Sequence, residues 1–128
     1  MAVRRGFLVE ALNPSYRIIG GNVVITAAGA ISSQDTAKQS GATVTKTAAK
    51  TGRYSILFDR TYKRVVSTGS SMFGPADAAF PTTTGASPKQ RNRATTGFDI
   101  QFVREDTQAD AEPASGTSFD WWAVVALN

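Results

Sequence analysis

The sequence predicts an all-β fold, a β-sandwich or β-barrel of about seven to nine short strands. Three observations predict it. Short segments alternate apolar and polar residues, turn residues recur about every ten positions, and no stretch carries a convincing helical period. A chain of 128 residues with 41% apolar side chains suits one such domain with a single core.

Residues 1–15 read as an extended N-terminal arm, leaving 16–128 as the β-domain. Arg4 and Arg5 precede a short apolar patch at Phe7–Val9, and Asn13-Pro14-Ser15 is a turn signal. Tyr16–Ile19 and Val23–Thr26 read as two strands of a hairpin, with Gly20-Gly21-Asn22 as the turn. Residues 27–41 are small and polar and predict a loop, with one brief strand at Ala30-Ile31. Ala42–Thr47 predicts a strand with one wet face. In Thr51–Asp59, Tyr54, Ile56 and Phe58 share one face, while Leu57 is the apolar exception on the other.

A turn follows at 60–62 and a strand at Lys63–Thr68. Residues 73–96 hold three prolines and the basic run Lys89–Arg93, and predict a long loop. Phe98, Ile100 and Phe102 share a face of the next strand. Residues 105–116 predict a solvated acidic loop. In the final strand Phe119, Trp121, Ala123, Val125 and Leu127 share one face.

That last strand is also mostly apolar on its second face from Trp122 onward, through Val124 and Ala126. A two-layer sandwich covers only one face, so the second must meet something else. Another copy of the chain would cover it. So would the N-terminal arm or the 73–96 loop folded over it.

Composition removes most catalytic chemistry. Cysteine and histidine are both absent. No disulfide, thiolate or imidazole zinc site, cysteine nucleophile or Ser-His-Asp triad can be built. Asp59, Asp99 and Asp120 show no spacing that would pair them across a cleft. Glu105, Asp106, Asp110 and Glu112 lack the ligand order of a calcium loop, so no metal or other cofactor is expected.

Trp121 and Trp122 are adjacent, so they point to opposite faces and cannot form one sugar-stacking platform. Residues 1–64 carry ten basic and three acidic side chains, a net of +7, and residues 65–128 a net of −3. That asymmetry suits a partner surface of opposite charge, although chance clustering of solvated charges produces it too. The basic run Lys89–Arg93 lacks aromatics placed for base stacking, which disfavours nucleic acid. No window approaches the ~20 apolar residues of a membrane span. Glu10, Asn13 and Pro14 interrupt what a signal peptide would keep apolar, so a soluble product made in the cytosol is expected.

The stretch Thr51-Gly52-x-Tyr54-x-Ile56-x-x-Asp59-x-x-Tyr62 resembles a strand of a family of small tailed-bacteriophage virion proteins. The opening Met-Ala-Val-Arg-Arg-Gly-Phe, then Tyr16-Arg-Ile-Ile-Gly-Gly-Asn-Val-Val-Ile, resembles the family's start. Phe98-x-Ile100-x-Phe102, Asp110–Thr117 and the closing apolar strand resemble its end. Where the family has a Leu-Leu-type run after the last tyrosine, Lys63-Arg64-Val65-Val66 stands here.

The resemblance implies a jelly-roll-like sandwich, commonly trimeric, with no enzymatic residues. It implies a decoration or cement protein on the capsid exterior, with the major capsid protein and itself as partners. On that reading Arg4, Arg5 and Phe7 of the arm, with Trp122 and Val124 of the last strand, are the expected interface residues. A receptor- or carbohydrate-binding module of a tail fibre is the alternative, with the 73–96 loop and Trp122 carrying recognition. A single-strand nucleic-acid binder and an enzyme are the remaining readings.

Overall fold

The computed structural model describes residues 15–32, 38–39, 41–74 and 85–127. Eight strands run through them: β1 (Tyr16–Val24), β2 (Lys38–Gln39), β3 (Ala42–Lys46), β4 (Arg53–Phe58), β5 (Arg64–Phe73), β6 (Ala86–Ala94), β7 (Gly97–Arg104) and β8 (Ser118–Ala126). They form two antiparallel sheets, ordered β1-β8-β5 and β2-β3-β4-β7-β6, packed as a sandwich. The arm expected at 1–15, with Arg4, Arg5 and Phe7, lies outside the described residues apart from Ser15.

The alternating segments build the core as their period dictates. Tyr54, Ile56 and Phe58 of β4 and Phe98, Ile100 and Phe102 of β7 point inward from the larger sheet. Phe119, Trp121, Ala123 and Val125 of β8 point inward from the smaller one. The rings interlock across the two layers. Tyr54, Phe102 and Phe119 form a triangle with centroids 5.4–5.8 Å apart. Phe98 meets Trp121 edge-on at 6.2 Å, and Phe58 meets Tyr62 edge-on at 5.6 Å. Each such pair contributes about 0.5–1.5 kcal/mol beyond its buried area.

Two expectations are corrected. Residues 16–24 are one continuous strand and no hairpin. Gly20 and Gly21 make no turn, because both pair with β8 in register, opposite Trp122 and Trp121. Residues 86–94, expected within a long loop, form strand β6, paired antiparallel to β7. Its Lys89, Arg91 and Arg93 and its Pro88 suit the exposed edge of a sheet. Cations there discourage pairing with another chain, and proline lacks the N–H that a central strand needs. The rest of the expected loop, 75–84, lies outside the described residues. Strand β5 also runs on to Phe73, five residues past its expected end.

The acidic loop is less free than its composition predicts. The Glu112 carboxylate accepts from the Gly52 backbone N–H at 2.5 Å and from Lys46 Nζ at 3.1 Å, which ties the loop to the β3–β4 hairpin. Nearby, the buried Tyr54 hydroxyl donates to the Gly29 carbonyl at 2.6 Å. Gly29 ends the short 3₁₀ turn Ala27–Gly29.

Burial first, and the Glu112 carboxylate second, raise the Tyr54 pKa well above the ordinary phenol value. The folded state therefore favours neutral Tyr54. Its contribution is complete below pH ~10 and is lost as pH rises beyond that. Tyr54→Phe removes the hydroxyl and leaves the Gly29 carbonyl unpaired. The variant is expected to lose about 1–3 kcal/mol at pH 7. Its stability should also fall less steeply than the parent's between pH ~10 and ~12. Urea unfolding at pH 7, 10 and 11 measures both effects.

Candidate self-association surface

The outward face of β1-β8-β5 follows from the strand register. Its cross-strand rows are Tyr16–Ala126–Arg64, Ile18–Val124–Ser67, Gly20–Trp122–Gly69, Asn22–Asp120–Ser71 and Val24–Ser118–Phe73. The register of β5 slips between Val65 and Ser67, so Val66 sits in a bulge.

Trp122 occupies the centre of this face, on the central strand, with a glycine beside it on each neighbouring strand. The close approach explains both glycines. A Cβ at Gly69 would lie 1.8 Å from the indole Cζ2, so the ring rests on bare backbone there. A Cβ at Gly20 would lie 2.6 Å from the Trp121 carbonyl oxygen.

With glycine on both sides, no neighbouring side chain covers the outer surface of the ring, and Trp122 stays 40% exposed. Ile18 at 53%, Val66 at 42% and Phe73 at 54% are exposed on the same sheet, and Val124 is half-buried among them. Trp121, one residue earlier, is 1% exposed.

Polar pairs stand at two of the remaining rows. Asn22 Nδ2 donates to Asp120 Oδ1 at 2.7 Å across the strands. At one end the Arg64 guanidinium lies 5.5 Å from the Tyr16 ring centroid and donates to its hydroxyl.

The outer face of the other sheet is different. There Arg53 Nε donates to Gln101 Oε1 at 2.8 Å, Asn92 Nδ2 donates to Asp99 at 2.7 Å, and Leu57 is the exposed large apolar residue. One outer face is thus polar and hydrogen-bonded, and the other carries several bare apolar side chains. A flat aliphatic face centred on an indole can exclude water against a matching surface, the usual role of a buried tryptophan at an interface.

Of the residues expected to contact partners, Trp122 and Val124 stand together on this face. Arg4, Arg5 and Phe7 lie outside the described residues. The sequence reading missed Ile18, Val66 and Phe73, the last because it fell within the expected 73–96 loop. Ile18-Ile19 held a signal, since adjacent apolar residues in a strand cannot both face the core. Val66 held none, because a bulge cannot be read from side-chain period.

The carboxylates weighed for chemistry are dispersed. Asp120 sits on β8 beside Asn22, Asp99 on β7 beside Asn92, and Asp59 after β4. Asp106 pairs with Arg104 at 2.6 Å, and the hydrogen bond from Arg104 holds its carboxyl below the ordinary range. Among the described residues no three carboxylates converge as a metal site would need. Comparison with protein-family models, curated proteins and solved structures finds no match.

Gly69→Val is expected to force the Trp122 ring off the sheet and to cost about 1–3 kcal/mol. In a Trp122→Ala background the same change should cost much less, because the ring it strikes is gone. A double-mutant cycle from urea unfolding checks this, and tryptophan emission reports where the ring sits.

Proposed function

We propose that the protein is a non-enzymatic structural component of a tailed-bacteriophage virion. In this reading it assembles with itself as a trimer and binds the outer surface of the capsid, reinforcing the shell as a decoration protein. The observation that carries the proposal is the apolar outer face of β1-β8-β5, centred on Trp122. A monomer has no use for that face, while an oligomer interface requires one. The motif around Thr51–Tyr62, which resembles small phage virion proteins, supplies the setting. The jelly-roll pattern belongs to the same reading. The segment 1–15, through Arg4, Arg5 and Phe7, reaches along the shell or a neighbouring subunit.

A second reading has one observation in its favour. An exposed indole could stack on a sugar ring, as in a carbohydrate-binding module of a tail fibre. A glycan array separates the two, since specific glycan binding that Trp122→Ala removes would support the module.

Co-sedimentation with shells of the phage that encodes the chain tests the main proposal. The parent protein should pellet with the shells. Deletion of residues 2–12 should abolish pelleting and leave the circular dichroism of the sandwich unchanged. Trp122→Lys should weaken pelleting by lowering the number of linked binding sites. Undiminished pelleting of the truncated protein contradicts the role given to the arm. Absence of pelleting by the parent contradicts the proposal itself.

A further inference from the structure

The two ends of the sandwich differ in the charged side chains they bring together. At the end formed by the β3–β4 hairpin and the 105–116 loop, cations meet carboxylates: Lys46 with Glu112 at 3.1 Å and Arg104 with Asp106 at 2.6 Å. The opposite end is formed by the β4–β5 and β6–β7 connections and the start of β1. It holds a shallow depression of about 210 Å³ lined by Lys63, Arg64, Val65, Arg93, Ala94 and Thr95. Three of the six lining residues are cationic and none is a carboxylate. Among the described residues the side chains of Lys63 and Arg93 have no ion-pair or hydrogen-bond partner.

The depression is held by backbone pairing. The Tyr62 N–H donates to the Thr95 carbonyl at 3.0 Å, tying the β4–β5 connection to the β6–β7 turn. The Lys63 N–H donates to the Ala126 carbonyl at 3.0 Å. Arg64 is oriented by the Tyr16 ring beneath it. Three cations thus line a concavity whose lining holds no carboxylate, and Asp59 of the β4–β5 connection lies outside that lining. Guanidinium groups so placed suit the two oxygens of a carboxylate.

We infer that this end is a docking surface for an acidic protein face, one carboxylate of which enters the depression between Arg64 and Arg93. Charge complementarity selects the occupant, and the aromatic residues narrow its class. Tyr62 is buried, with the Arg60 guanidinium over its ring, and Tyr16 lies under Arg64. Among the described residues no ring at this end is bare for a nucleobase to stack on, which a single-stranded nucleic acid would need. Ser15 also lies at this end, its carbonyl accepting from the Leu127 N–H at 2.7 Å. Only the identity of the acidic partner, the capsid, rests on the reading given above.

Poly-L-glutamate is the probe. Its binding is measured by titration at low salt for the parent, for Lys63→Glu/Arg93→Glu, and for Lys50→Glu/Lys89→Glu, which makes the same charge change away from the depression. Circular dichroism confirms that each variant is folded. The first variant should lose ~tenfold or more in affinity and the second no more than ~twofold, with parent binding falling steeply as salt rises. Equal losses in the two variants, or no loss in the first, overturn the inference. Tighter binding of a single-stranded oligonucleotide of equal charge overturns the choice of partner class.

Shell co-sedimentation of the same variants separates this inference from the function proposed above. If Lys63→Glu/Arg93→Glu still pellets with shells, the capsid as occupant of this end is overturned and the decoration role stands. If the parent binds polyglutamate through this end but ignores shells, the docking end stands and the decoration role fails.

Discussion

The structure depends on β8 being apolar on both faces. Its inward residues, Phe119 and Trp121, supply the rings that interlock with Tyr54, Phe102 and Phe98 of the opposite sheet. It is also the central strand of its own sheet, paired along its length with β1 on one side and β5 on the other. Removing either role would separate the two layers or leave the smaller sheet without a middle. Its outward residues are therefore fixed in place by what the inward ones do.

From that constraint the neighbouring strands take their composition. Trp122 must project from the middle of the smaller sheet, and Gly69 gives its ring room to lie close to the backbone, while Gly20 clears the Trp121 carbonyl. A larger residue at Gly69 would collide with the indole, and one at Gly20 with the Trp121 carbonyl oxygen. Leaving glycines there keeps the ring exposed, and Ile18, Val66 and Phe73 extend the apolar surface around it. The larger sheet has no such strand facing out, and its outer face is closed by hydrogen bonds such as Arg53 to Gln101. The cation-lined depression lies at one end of the sandwich, where Arg64 borders both it and the outer face of β1-β8-β5. A subunit arranged in this way can meet its own copies through one face and an acidic surface through one end, with Arg64 at the boundary between them.

Much of this was legible in the sequence. The period-2 segments at 53–58, 97–104 and 118–126 gave their strands and their core faces, because an alternating pattern has one physical solution in a half-buried strand. The opposite orientations of Trp121 and Trp122 followed from adjacency alone. Gly20-Gly21 was misread because glycine marks both turns and close approaches, and only the tryptophan a hundred residues later distinguishes them. Strand β6 was misread because an edge strand rich in cations, with a proline, has no apolar period to show. The anchoring role of Glu112 was hidden because its partner is a backbone N–H sixty residues away, and a backbone group leaves no trace in composition. The depression between Lys63 and Arg93 was hidden likewise, since it forms only when two distant connections meet.

The most direct test of the account is the solution mass of the purified full chain, measured by size exclusion with light scattering across a range of concentrations. The account predicts a stable species of about three times the chain mass that Trp122→Lys reduces to the monomer. A parent protein that stays monomeric at high concentration, with Trp122→Lys indistinguishable from it, would contradict the claim that the outer face of β1-β8-β5 is buried between copies.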